Sequence, residues 1–215
     1  MRGLYIRQDG ESERGRDMRL DVRFDFKFKG ERNYIHGTDI YNETLAWLIS
    51  QRHDVGSIDF SFHHIASRQL VGILDTLPEG IEPVAICSFT SREGRNRLYV
   101  VETADPVTGR YSYPEDKIVS QMKLDLNARR CVLLGGVIYS DIEVWVAMTK
   151  AIHYEAFPNL GGKWIFARWR STQYVRRSIA LKRELHIASI FNNKLTRSEV
   201  FLDGQKAGEV YFVIV

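Results

Sequence analysis

Two stretches of the chain, 98 positions apart (130 − 32), carry the same pattern. Residues 32–48 read RNYIHGTDIYNETLAWL and residues 130–146 read RCVLLGGVIYSDIEVWV, with no gap between them. Arg32/Arg130, Gly37/Gly135, Ile40/Ile138, Tyr41/Tyr139 and Trp47/Trp145 are identical, and Asn42/Ser140 and Glu43/Asp141 keep their polar character. A repeat at this spacing divides 215 residues into two similar units, each of a size that builds its own small core. The copies differ at one chemically important place: His36 of the first stands opposite Leu134 of the second.

The flanking segments extend the pattern. In residues 21–29, Val22, Phe24, Phe26 and Phe28 alternate with charged residues, which predicts a strand with one apolar and one wet face, ended by Gly30. Thr38 or Asp39 can cap the helix that follows, because a side-chain oxygen there accepts from the unpaired backbone donors of the first turn. Ile40, Thr44, Trp47 and Leu48 recur at helical spacing and predict a helix over 39–51. Strand-like runs follow at 58–65, 68–74, 84–91 and 97–102, with a hairpin turn at Glu93–Asn96.

Residues 104–117, punctuated by Pro106, Gly109 and Pro114, read as a connection. The second copy opens with a strand over 118–127, in which Met122, Leu124 and Leu126 fall opposite Phe24, Phe26 and Phe28 under the same shift. A longer helix is expected over 137–157, stopped by Pro158, Gly161 and Gly162. Strands are expected at 163–170, 174–182, 184–192, 197–202 and 208–215, with Asp203 and Gly204 as a hairpin turn.

The organisation is then a charged leader over 1–19, repeats over 20–103 and 118–215, and a linker between them. Each long helix must bury its apolar stripe, and the face of its own curved sheet is the surface large enough. The expected class is α+β, with two antiparallel sheets each wrapped around one long central helix.

Composition removes several alternatives. The 30 basic and 27 acidic residues nearly balance, so charge alone does not point to nucleic acid. The cations do gather between Arg168 and Arg183, through Arg170, Arg176, Arg177 and Lys182, with Trp164, Trp169 and Tyr174 interleaved. That stretch reads as a solvated strand face, as a docking patch for an anionic partner or, more weakly, as a surface for single-stranded nucleic acid. Cys87 and Cys131 sit in apolar runs as inert thiols and form no metal-ligand spacing. His63 and His64 are adjacent in a strand and point to opposite faces, while His153, Glu155 and His186 lack zinc spacing, so neither metal nor cofactor is expected. With no apolar run of spanning length, the protein reads as cytoplasmic.

The element order, the internal repeat and the His36–Gly37 pair at a helix entrance resemble the hotdog fold, in which a central helix lies in an antiparallel sheet. Two copies look like a double hotdog, covering residues 20–215. The resemblance implies acyl-thioester chemistry, with acyl-coenzyme A or an acyl carrier protein as partner. It also implies an acyl chain lying between two hotdog units and a thioester carbonyl meeting backbone donors at a central helix N-terminus. The segment HGTDIYN (36–42) carries neither the His-Phe-Pro run of the family's dehydratases nor the His-x-Asn-Asn run of its four-hydroxybenzoyl-type thioesterases. Dehydration and hydrolysis therefore both stay open, as does an acyl-binding or assembly subunit without chemistry. Two fused copies can themselves form a dimer.

The physics of a helix N-terminus agrees with that role, since its unpaired N–H groups and partial positive charge suit an oxyanion. His36 is the candidate base or acid, because its proton moves near neutral pH. Asp39 and Glu43 are the candidate carboxylates to orient it or activate water. Gly37, Tyr41 and Asn42 from the first copy, with Gly135, Gly136, Tyr139 and Asp141 from the second, are the candidate substrate contacts. Asp141 or Glu143 can supply a carboxylate across the interface. Each also has a structural reading: His36 as a loop-bonding imidazole, Asp39 as a cap, the tyrosines as packing.

Overall fold

The computed structural model describes residues 22–51, 54–172 and 179–215. The leader over 1–19, and Tyr174, Arg176 and Arg177 of the basic stretch, lie outside the described residues. The chain divides into two compact units, one from the described residues up to Asp54 with Ser61–Tyr113, the other from Val55–Phe60 with Pro114–Val215.

The first unit contains β1 (Val22–Arg23), β2 (Phe28–Lys29), α1 (Gly37–Ser50), β4 (Arg68–Leu74), β5 (Ala85–Ser91), β6 (Gly94–Pro106) and β7 (Arg110–Tyr111). β3 (Ile58–Phe62) crosses the division, with Ile58–Phe60 belonging to the second unit. The sheet runs β1-β4-β6-β5, antiparallel throughout, and β2 pairs with β7 in a separate parallel ribbon. α1 buries Ile40, Tyr41, Thr44, Leu45 and Leu48, the stripe expected from the 3.6-residue period.

The strand expected over 21–29 is interrupted. Phe24 and Phe26 are buried as the alternation predicts. Between β1 and β2, however, the Gln69 side chain stands in for a neighbouring strand, donating to the Phe26 carbonyl at 2.9 Å and accepting its N–H at 2.8 Å. β2 then leaves for β7, and the alternation breaks with it: Lys29 is fully buried and Phe28 only partly.

The second unit contains α2 (Asp116–Val119), β8 (Met122–Asp125), β9 (Arg130–Leu134), α3 (Asp141–Ala156), β10 (Trp164–Ser171), β11 (Lys182–Phe191), β12 (Leu195–Leu202) and β13 (Gln205–Ile214). Its sheet runs β10-β13-β12-β11-β9-β8, every pair antiparallel. α3 packs on β9, β10, β11 and β13 and is nearly covered, with Ile142, Val144, Trp145, Val146, Ala147, Met148 and Ile152 buried. Trp145 stacks on Trp169 of β10 with ring centroids 4.8 Å apart. Gly208 makes room for that ring, since a Cβ there would stand 2.6 Å from it. His153 fixes the far end of α3: Nδ1 donates to the Thr149 carbonyl at 2.5 Å, and Nε2 meets Thr196 Oγ1 of β12 at 2.6 Å.

Two expectations about the repeat need correction. Ile118 begins no strand; it is the buried residue of α2, and Leu124 is 40% exposed where its counterpart Phe26 is buried, while Leu126 is 45% exposed where Phe28 is partly buried. β8 is the last strand of its sheet order, and α2 supplies the core side chain instead. The ungapped register also fails at the helices. Caps His36 and Ser140 lie 104 positions apart (140 − 36), so Gly135 and Gly136 precede α3 in the β9–α3 connection rather than matching Gly37 in the first turn of α1. Residues 104–117, expected as a linker, carry the end of β6, all of β7 and the start of α2.

Candidate active site

The entrance of α1 is built from three local decisions of the chain. His36 sits in an extended conformation and caps the helix, its Nδ1 accepting from the Thr38 N–H at 3.4 Å. The cap is therefore the imidazole, where Thr38 or Asp39 had been expected; both of those lie inside the first turn. Gly37 opens the helix, and its N–H has no hydrogen-bond partner among the described residues. Arg110 of β7 donates to the carbonyls of Gly30 and Arg32, the latter at 2.8 Å, and pins the approach to the cap.

Beneath this cap lies a buried ammonium. Lys29 is fully buried, and its Nζ donates to Thr38 Oγ1 at 3.0 Å and to Asp39 Oδ1 at 2.8 Å. Tyr113 places its ring 4.0 Å from the same Nζ, and Tyr111 lies farther, at 5.9 Å. A cation at the positive end of a helix is unfavourable unless a carboxylate intervenes. Asp39 does so. Its Oδ2 also accepts from the Tyr111 hydroxyl at 2.6 Å, so both oxygens are engaged. The carboxylate is thus held in place by an ammonium, a phenol and Thr38. The geometry suits it to neutralising Lys29 more than to activating water.

The other candidates in α1 separate from this cluster. Tyr41 is buried in the apolar stripe, and Asn42 is half-buried. Glu43 is exposed, seven residues beyond His36, which is roughly 10 Å along a helix axis at 1.5 Å per residue. It cannot orient His36 directly.

The entrance of α3 is made differently. Ser140 caps it in a reciprocal box, accepting from the Glu143 N–H at 3.4 Å while Glu143 Oε2 accepts from the Ser140 N–H at 2.9 Å. Asp141, the first helical residue, pairs with Arg183 of β11, whose Nε lies 2.8 Å from Oδ1, and both side chains are almost fully buried. The same guanidinium donates to the carbonyls of Ala180 at 3.1 Å and Gly135 at 3.4 Å. Gly135 has φ 90, a conformation that favours glycine, and turns the chain out of β9. Gly135 and Gly136 are exposed, and Tyr139 is half-buried just before the cap.

Sequence reasoning missed Lys29, Tyr111, Tyr113 and the role of Arg183. The usable signal was an acidic residue in the first turn of each helix, Asp39 and Asp141, which calls for a donor from elsewhere in the fold. The described members of the basic stretch are each committed to a carboxylate. Arg168 and Arg170 meet Asp59, Lys182 meets Glu184, and Arg183 meets Asp141. Arg183 is buried and leaves the surface of that stretch, while Arg168, Arg170 and Lys182 remain 42%, 51% and 40% exposed. Burial pushes the Cys131 thiol up to about 12, and Cys87 is equally buried, as expected for inert thiols. Among the described residues there is no group of three or more potential metal ligands, and no helix is long and apolar enough to cross a membrane.

No protein-family model and no curated protein matches the chain. Solved structures do. A tesB protein of Mycobacterium avium subspecies paratuberculosis is similar over 88% of this chain and 91% of its own, with 12% identity and a TM-score of 0.50. The dehydratase domain of PpsC from Mycobacterium tuberculosis, solved in complex with C12:1-CoA, is similar over 85% of each chain, with 12% identity and a TM-score of 0.50. A pyran synthase domain from module nine of the sorangicin pathway is similar over 94% of this chain and all of its own, with 9% identity and a TM-score of 0.50. At these identities the likeness is one of fold, and the fold is α+β, a double hotdog.

Proposed function

We propose that this protein processes acyl thioesters of coenzyme A or an acyl carrier protein, and that the thioester carbonyl is received at the entrance of α1. The observation that carries the reading is the unpaired Gly37 N–H beside the His36 cap, at the positive end of a 14-residue helix. Preorganised donors of this kind stabilise the charge that develops on a carbonyl oxygen when the thioester is attacked or enolised. The buried Lys29–Asp39 pair supports the reading as scaffolding, because it holds the first turn rigid without leaving a net charge at the entrance. The bound C12:1-CoA of the PpsC dehydratase domain is a property of that protein; it makes long-chain acyl-CoA the first class to test here.

A second reading, an acyl-binding subunit without turnover, is favoured by one observation: both oxygens of Asp39, the carboxylate nearest the cap in sequence, are already engaged.

The test is a panel of acyl-CoA and acyl-carrier thioesters, followed for thiol release and, with 2-enoyl thioesters, for water addition. Turnover that falls on the order of 10²-fold in His36→Ser, with an unchanged circular dichroism spectrum, is the expected result. Binding without turnover by the unaltered protein would select the second reading. No binding of any acyl thioester would remove both.

A further inference from the structure

The second unit ends on a strand whose residues complement their own reversed order. We propose that β8 is the interface between two copies of this chain, joined antiparallel about a two-fold axis through Leu124.

β8 (Met122–Asp125) is the last strand of its sheet order, and among the described residues only β9 pairs with it. Alternate residues of an antiparallel strand direct their N–H and C=O away from the neighbour they bond, so the outer edge of β8 presents backbone donors and acceptors to a further strand. The side chains agree. Leu124 lies opposite Cys131 and Met122 opposite Leu133, which sets both on the face that carries the buried Cys131 and Leu133. Leu124 is nevertheless 40% exposed, and Leu126, two places on, is 45% exposed.

Exposed leucines mark an uncovered edge, and the charges identify what covers it. Edge strands commonly carry lysine to repel a second strand, and Lys123 is such a residue. Asp125, also exposed, cancels the repulsion for one kind of neighbour. Let two copies of residues 122–126 (MKLDL) meet antiparallel with Leu124 opposite Leu124. Each Lys123 then stands directly opposite the partner's Asp125, and each Met122 opposite the partner's Leu126. Both ion pairs form on one face and all the apolar contacts on the other. Neither charge is spent within the chain. Lys123 has no ion pair among the described residues, and Asp125 only accepts the Ala128 N–H, at 3.0 Å. Moving the axis to Lys123 or to Asp125 sets like charges opposite each other, so one register is specified. A two-fold contact of this kind closes at two copies, because each β8 has a single outer edge. Five residues from each copy make a contact smaller than the roughly 800 Å² per partner of standard interfaces, so the dimer exchanges with monomer.

Sedimentation velocity of the full chain, from about 1 μM to about 1 mM as suits a contact of that size, reads the equilibrium. A monomer–dimer transition inside that range is expected. Lys123→Asp and Asp125→Lys, each with an unchanged circular dichroism spectrum, should each raise the dissociation constant about tenfold or more, because both ion pairs become repulsions. An equimolar mixture of the two variants should regain the dimer, since aspartates of one chain then face lysines of the other. The double variant Lys123→Asp/Asp125→Lys should regain it as well, although it too lacks the Asp125 bond to Ala128. A misfolded hairpin would produce neither rescue. A chain that stays monomeric throughout the range, a dimer indifferent to both single variants, or a mixture that fails to associate overturns the proposal.

Discussion

The two helix entrances solve one electrostatic problem in different ways. Each helix carries an aspartate in its first turn, and each aspartate meets a buried cation from a strand: Lys29 for Asp39 in α1, Arg183 for Asp141 in α3. At α3 the side chains close on themselves. The Ser140–Glu143 box satisfies the cap, and Arg183 ties Asp141 to the carbonyls of Gly135 and Ala180. At α1 the cap is an imidazole, the next residue is a glycine with an unpaired N–H, and the cation is a point charge bracketed by a threonine and two tyrosine rings. One entrance is fastened for stability, while the other keeps donors available. The lesson is that two helix entrances can share one charge pairing and still differ in the cap that closes them.

The largest effect should come from the fastened side. Arg183→Met deprives the buried Asp141 carboxylate of its guanidinium, and breaking such a pair costs about 3–5 kcal/mol. The urea midpoint should fall accordingly, and adding Asp141→Asn should recover most of the loss. If the single variant unfolds at the original midpoint, the guanidinium is ornamental and the comparison collapses.

The second unit should also be the acid-sensitive one. Burial pushes the His153 imidazole down to about 4 from 6.5, against the upward pull of its bond to the Thr149 carbonyl. Between those values the unfolded chain binds the proton and the folded chain does not. Stability is therefore intact above about pH 6.5 and declines toward pH 4, by on the order of 3 kcal/mol. Unfolding followed by the emission of Trp145, Trp164 and Trp169 should show this slope, and His153→Gln should flatten it.

Lys29→Met should cost less than Arg183→Met, about 1–3 kcal/mol, because Asp39 is 13% exposed and retains the Tyr111 and Thr38 donors. Equal losses at the two entrances would deny that they differ in kind. The smallest effects should come from the caps. Ser140→Ala should cost about 1 kcal/mol, whereas His36→Ser exchanges one cap for a better one and should leave stability within a few tenths of a kcal/mol.

Much of the frame was legible in the sequence because it depends on local periodicity. The spacing of Ile40, Thr44 and Leu48 located α1, Pro158 with Gly161 and Gly162 placed the end of α3 to within a residue, and Asp203–Gly204 forms the turn between β12 and β13 with positive φ at both positions. The site was less legible. Lys29 ends an alternating run whose charged residues should face water, and Arg183 ends a basic stretch that reads as a solvated face. Both are buried because a helix N-terminus arrives from elsewhere in the chain with a carboxylate to meet them. Periodicity assigns a face within one strand; it carries no record of a partner supplied by another element. The ungapped repeat misled for a related reason. The identities among Gly37/Gly135 and Tyr41/Tyr139 are real, but helix α3 begins six residues later in that register, and matching letters there perform different tasks.

The most direct test of the account is an amide NMR titration with a 2-oxoalkyl thioether of coenzyme A, which keeps the carbonyl and cannot be hydrolysed, read at the first residue of each helix. The account predicts that the Gly37 N–H moves downfield as the carbonyl binds and that the Asp141 N–H stays in place. A shift at Asp141 with Gly37 unmoved, or a saturable interaction that perturbs neither, would contradict it.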